Sequence, residues 1–258
     1  MTDPSSPLDG RQRDRTWQRA MAVAHAASDL RDLDLRGADL RGHDVSWISL
    51  RTARLDGADL RGARLRYVEL DRAVLDGCDL RGAELTAVSA AGASLRGING
   101  AGLTWSNGNL ATAVLADAQL SETTWNACVL DDADLRHADA RSSRWVGCSL
   151  AGADLDGSDW DGALTPGTRC PRALLGGARR FAWCRELVLE VLRLHLGDDL
   201  ERAQVLAAAM VATEWCYPRW ERWLAEHRSY RDLAYRIFAD YPQSGCLEAL
   251  GLVTESRP

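Results

Sequence analysis

ARLDGADLRGARLRYVELDRAVLDGCDLRGAEL, residues 53–85, is the stretch whose reading decides the fold. Every fifth residue is leucine: Leu55, Leu60, Leu65, Leu70, Leu75, Leu80 and Leu85. Two places before most of them stands a small residue, as in Ala53, Ala58, Ala63, Ala73, Cys78 and Ala83. A period of five matches neither the ~3.6 of a helix nor the ~2 of a strand. It suits a short extended segment closed by a sharp turn, with two residues of each five pointing inward. Gly57, Gly62, Gly77 and Gly82, two places after a central leucine, stand where such a corner needs freedom from a Cβ.

Outward from this stretch the register runs from Leu30 to Trp160, softened but not broken at Ala90, Gly100 and Ala140. Runs such as Ala38-Asp39-Leu40-Arg41-Gly42 and Ala58-Asp59-Leu60-Arg61-Gly62 resemble the A(D/N)Lxx signature of the pentapeptide-repeat family. The resemblance implies a mainly β solenoid: a right-handed quadrilateral parallel β-helix, with four units and twenty residues per coil. Residues 28–165 then make about seven coils, a rod roughly 30 Å long at ~4.8 Å per coil. Sorting by twenty puts Trp105, Trp125 and Trp145 in one inward column after Val45, Leu65 and Leu85. We read them as a core ladder, with Gly100 and Ala140 giving up volume to the indoles before which they stand.

Charge narrows the function classes. The chain of 258 residues carries a net charge of −6 and no lysine. The excess acid sits on residues 28–165, with 14 arginines against 22 acidic residues. Neutralising phosphates needs the opposite bias, so direct nucleic-acid binding is disfavoured. No apolar run is long enough to span a membrane and the polar N-terminus lacks a secretory core, which predicts a cytoplasmic protein. Seven cysteines without CxxC spacing fit a reducing compartment.

On the rod, aspartate and arginine columns such as Asp39, Asp59, Asp79 and Arg41, Arg61, Arg81 run side by side and relieve like-charge repulsion. Residues 88–127 hold only Arg96, Asp117 and Glu122, a nearly uncharged belt. Asp131, Asp132, Asp134, Asp139, Asp154, Asp156, Asp159 and Asp161 make an acidic end, the candidate partner-binding surface. Residues 1–14 read as a disordered tail, 15–27 as a capping helix bearing Trp17, Met21 and Ala24, and 166–181 as a linker. Residues 182–258 read as an all-helical domain, with Ser229 and Asp232 a capping-box-like pair. Its Trp215, Tyr217, Trp220 and Trp223 are candidates for core or for a docking or dimer face.

No catalytic residues, metal ligands or cofactor site are assigned. The five histidines lack metal-ligand spacing, and Cys128 and Cys148 read as buried thiols in an alanine slot. The resemblance implies a non-enzymatic protein-binding rod. Some members mimic duplex DNA, bind DNA gyrase or topoisomerase IV, and confer quinolone resistance. A scaffold or accessory protein for a different partner, docking through the helical domain or the neutral belt, is the alternative; an enzyme with a site between rod and helices is more remote. A homodimer through the neutral belt or the helical domain is compatible with either binding reading.

Overall fold

The computed structural model describes residues 29–181, 184–194 and 217–249. The tail, the capping helix over 15–27 and Trp215 lie outside the described residues.

The five-residue period builds a parallel β-solenoid. Strands β1 (Asp44–Ser46), β2 (Arg64–Arg66), β3 (Glu84–Thr86), β4 (Thr104–Ser106), β5 (Thr124–Asn126) and β6 (Arg144–Val146) form one parallel sheet in chain order. Each residue pairs with the one twenty places on, as in Leu65 with Leu85 and Trp105 with Trp125. On the other three faces the contact shrinks to single bridges with the same offset, from Asp29–Ser49 to Asp159–Arg179. There the turn closes on itself: the Ala58 N–H donates to the Leu55 carbonyl at 2.8 Å, while Leu55 N–H donates to Val74 of the next coil at 2.7 Å. The third residue of each such turn has positive φ, as at Gly57 (64°), which is the type II geometry. The corner is not reserved for glycine. Asp32, Thr52, Arg72 and Asp132 hold it too, each at a left-handed conformation that costs ~1–2 kcal/mol without a glycine.

The coil does not stop at residue 165. Leu150, Leu155 and Trp160 donate to Arg169, Leu174 and Arg179 at 2.6, 2.9 and 3.0 Å, so the segment expected as a linker is the last coil. Thr165, Thr168 and Cys170 are buried in the inward slots, and Leu175 and Ala178 restore the ordinary residues. The polar substitutions hide the register from a pattern search. Pro166 and Pro171 occupy the second position of their turns, where a fixed φ is suited rather than disruptive.

Among the described residues four helices follow: α1 (Arg185–Leu194), α2 (Tyr217–Glu226), α3 (Arg228–Ala239) and α4 (Cys246–Ala249). They share one core with the rod, since Leu187, Val188, Val191, Leu192, Leu224, Ile237 and Phe238 join the same buried cluster as the leucine ladders. Helix α3 starts after His227, whose side chain makes no cap bond, so Ser229 and Asp232 do not form the capping box the spacing suggested.

Helix α1 also resolves the open edge of the last coil. Within the rod, Gly147, Gly152 and Trp160 donate their N–H groups to the next coil. Their counterparts Gly167, Arg172 and Arg180 have no further coil. Glu186 accepts from Gly167 at 3.2 Å, Glu190 from Arg172 at 2.5 Å, and the Gln243 carbonyl from Arg180 at 2.9 Å. Glu186 also takes the Thr165 hydroxyl at 2.7 Å, so a sheet edge that would template association is closed by carboxylates and a carbonyl.

Candidate interaction surface

The early coils carry a knitted charge ladder. Arg41 grips Asp39 through Nε at 2.7 Å and Nη2 at 2.5 Å and reaches Asp59 of the next coil at 3.6 Å. Arg61 repeats this with Asp59 at 2.6 Å and Asp79 at 3.6 Å. The fork-on-carboxylate geometry pulls Asp39 down to about 2 and lowers Asp59 and Asp79 for the same reason. Exposed pairs of this kind are individually weak, ~0.2–1 kcal/mol, but they cancel the field locally.

The acidic end is far less acidic in the fold than in the sequence. Asp134 is held by Arg136 at 2.7 Å and Asp139 by Arg141 at 2.6 Å, and each arginine keeps its carboxylate below the usual range. Asp154 lies 3.7 Å from Arg136. Arg180, on the coil the sequence reading had missed, forks onto Asp159 and reaches Asp161 at 3.3 Å. Asp131 accepts the Ser149 hydroxyl at 2.5 Å and the Ala151 N–H at 3.1 Å. Asp132 and Asp156 are left without an ion pair among the described residues. Asp132 leans over Gly152 so closely that a Cβ there would lie 2.2 Å from its Oδ1. With the last coil included, residues 128–180 hold eight acids and seven arginines. His137 makes no pair with Asp139, whose two oxygens are both taken by Arg141.

The tryptophans are core, as their column predicts. Trp105, Trp125, Trp145 and Trp160 are fully buried, with successive centroids 5.4, 4.8 and 5.4 Å apart. Three indole N–H groups donate to a hydroxyl two residues earlier: Trp125 to Thr123 at 2.9 Å, and Trp145 to Ser143 and Trp160 to Ser158 at 2.8 Å each. Trp105 follows Leu103 instead, and its N–H has no partner. The residue that makes room for it is Gly108, where a Cβ would meet the indole Nε1 at 2.2 Å. Gly100 is not the compensating position, because a Cβ there would meet the Gln119 carbonyl oxygen at 3.2 Å and the side chains of Leu120 and Leu103 rather than the indole. Cys128 and Cys148 sit one and two coils beyond Gly108 in the same inward slot, and their thiols point at the Trp105 and Trp125 carbonyls at 3.3 and 3.5 Å. The neighbouring Cys148 thiol and burial push Cys128 up. They are free, buried thiols.

The pentapeptide-repeat model matches residues 28–66, 63–99, 113–144 and 128–164, in 8 copies. The chain belongs to the pentapeptide-repeat family. A trypsin-treated variant of QnrB1, described as a plasmid-mediated fluoroquinolone resistance protein, matches with TM-score 0.54 and 14% identity, over 58% of this chain and 78% of that one. A pentapeptide-repeat protein of the Arabidopsis thaliana thylakoid lumen is 24% identical over 36% of this chain and 66% of its own, with TM-score 0.36. HetL of the cyanobacterium Nostoc, involved in heterocyst differentiation regulation, is 22% identical over 61% of this chain and 94% of its own, with TM-score 0.28. No curated protein sequence matches.

Two aromatic groups complete the surface of this pentapeptide-repeat protein. Tyr217, Trp220 and Trp223 all fall on α2. Of their side chains only that of Trp223 is described: it is half-buried against the core and stacks on His227 at 4.3 Å. The second group escaped the sequence reading. Trp47 and Tyr67, register mates at the corner after β1 and β2, stack at 4.1 Å with an interplanar angle of 12° and are 69% and 48% exposed. Both take positive φ, 60° and 55°, where bulky residues are outliers. The signal was present as two large aromatics twenty residues apart in a slot otherwise filled by small residues. No described helix is long and apolar enough to cross a membrane.

Proposed function

We propose that this pentapeptide-repeat protein is a non-enzymatic rod that binds a protein partner, and that the partner is a type II DNA topoisomerase, gyrase or topoisomerase IV. The observation that carries the binding reading is the fixed lattice of side chains. Carboxylates and guanidiniums are held by one another on successive coils, as in Arg41–Asp39–Asp59, so the surface is preorganised before any partner arrives. Such a lattice positions charge for recognition and leaves none of those groups free for proton transfer. The topoisomerase reading draws support from the acidic excess of the repeat and from QnrB1, whose fold this chain shares.

The test is gyrase supercoiling with purified protein, with and without a quinolone. Inhibition or drug protection is expected, weakened by Asp132→Arg and Asp156→Arg. These two are the informative carboxylates, because reversing Asp134, Asp139 or Asp159 also breaks an internal pair. No effect on gyrase or topoisomerase IV at high protein excess refutes the topoisomerase reading. One observation favours a scaffold for a different partner: the near balance of charge over residues 128–180 weakens any resemblance to the field of a duplex.

A further inference from the structure

The sheet β1–β6 is the face on which three successive residues pair from coil to coil, and its exposed positions are not arranged at random. Before each buried central residue stand Asp44, Arg64, Glu84, Thr104, Thr124 and Arg144; after it stand Ser46, Arg66, Thr86, Ser106, Asn126 and Val146. The next position, at the corner, holds Trp47, Tyr67, Ala87, Asn107, Ala127 and Gly147. Charge and bulk gather toward β1 and β2, while β4 and β5 are uncharged and the corners beside β5 and β6 are small.

This gradient is self-complementary. A two-fold axis lying along the strands, midway between β3 and β4, places β1 of one copy on β6 of the other, β2 on β5, and β3 on β4. Asp44, which Arg66 of its own copy also reaches at 3.4 Å, then faces Arg144, which has no ion pair among the described residues. Arg64 and Arg66, held within their own copy by Glu84 at 3.3 Å and Asp44 at 3.4 Å, face the oxygens of Thr124 and Asn126 with their remaining N–H groups. Trp47 and Tyr67 face the vacant corners at Gly147 and Ala127. No like charges oppose one another. The other two-fold that superposes the faces, parallel to the rod axis, sets Arg64 against Arg66 and leaves the aromatics without a notch. Two stacked aromatics left 69% and 48% exposed, in a slot that the turn itself fills with Ala, Asn or Gly elsewhere, are also what an interface anchor explains.

We propose that this face is the interface of an antiparallel homodimer built on that two-fold. The proposal does not rest on the topoisomerase reading. Six strands at ~4.8 Å spacing make a short interface, so association belongs to the weak, reversible class and follows protein concentration.

The test combines sedimentation equilibrium over a wide concentration range with mixed-chain cross-linking. Tyr67→Cys and Ala127→Cys chains, mixed under mild oxidation, are expected to form a disulfide-linked dimer, whereas neither chain alone does so. The six described native cysteines are buried and do not compete. Asp44→Arg is expected to shift the equilibrium to monomer, and adding Arg144→Asp to restore dimer, with thermal melting confirming that each variant is folded. A monomer at every concentration with no mixed cross-link overturns the proposal. So does a dimer indifferent to the charge swap, or one in which Tyr67→Cys links to itself, because each places the contact elsewhere.

Discussion

Gly108→Ala offers the sharpest test of how the core is organised. The backbone at Gly108 does not need glycine for its φ, so on conformational grounds alanine gains ~0.4–1 kcal/mol by restricting the unfolded chain. The added methyl, however, lands 2.2 Å from Trp105 Nε1 and 2.6 Å from Cδ1, well inside van der Waals contact. The indole cannot retreat easily, since Trp125 stacks on it at 5.4 Å. Overpacking of this kind costs ~1–3 kcal/mol, so the net expectation is a loss of about 1–2 kcal/mol. Trp105→Leu restores the residue used at Leu65 and Leu85 in the same column and removes a buried N–H with no acceptor, itself a penalty of ~1–3 kcal/mol. In that background the methyl introduced by Gly108→Ala fills space instead of colliding. The double variant should therefore be at least as stable as Trp105→Leu alone, with a coupling energy near ~2 kcal/mol. Guanidinium denaturation followed by circular dichroism reads all four corners of the cycle. Strict additivity, or a Gly108→Ala protein as stable as the parent, would refute the claim that Gly108 exists to admit the indole.

Three further outcomes follow from the same geometry. Asp56 Oδ2 is buried without a partner, whereas Asp71, Asp76 and Asp131 each receive the hydroxyl of a serine eighteen residues on; Val74→Ser should supply that donor and raise the melting temperature, by ~0.5–1.5 kcal/mol of stability, while Val74→Ala should not. The aspartates gripped by arginine have folded pKa values below the unfolded value near ~3.9, so their contribution is complete above that pH and is lost as pH falls toward about 2, the value for Asp39. Melting temperature should be level from neutrality to mild acid and then drop, and Asp39→Asn with Asp59→Asn and Asp79→Asn should flatten the drop; an unchanged acid limb contradicts the assignment. Glu190→Ala, which strands the Arg172 N–H, should destabilise the last coil by ~1–3 kcal/mol and speed amide exchange there, with Glu190→Gln retaining most of the stability because its amide oxygen can still accept.

The solenoid was legible because its signal is redundant: a leucine every fifth residue and an alanine two places earlier are read many times over, and errors at Ala90 or Gly100 do not matter. The last coil was not, because Thr165, Thr168 and Cys170 replace the expected apolar residues and prolines look like terminators. Missing that coil also distorted the surface. Arg180 neutralises Asp159 and Asp161 from about twenty residues away, a pairing visible only once the register is known to continue. The indole acceptors were within reach of the sequence, since Thr123, Ser143 and Ser158 each stand two residues before a tryptophan. Gly108 was not, because nothing in a pattern of small residues says which one borders an indole. Trp47 and Tyr67 are hard to see for a different reason: they stand at a corner, outside the periodic inward positions, where the sequence pattern marks only the glycines.

The closure by Glu186, Glu190 and Gln243 has a consequence for how such rods can vary. These groups offer the final coil the acceptors that another coil would offer, and apart from the Thr165 hydroxyl, itself part of that last coil, they meet backbone N–H groups. The terminus therefore does not know how many turns lie beneath it. Excising or duplicating a whole twenty-residue turn from the middle leaves the seal untouched and changes the length by one increment of ~4.8 Å. The molecule behaves as a ruler with a standard end-piece, whose span can be set in quanta while its termination stays the same.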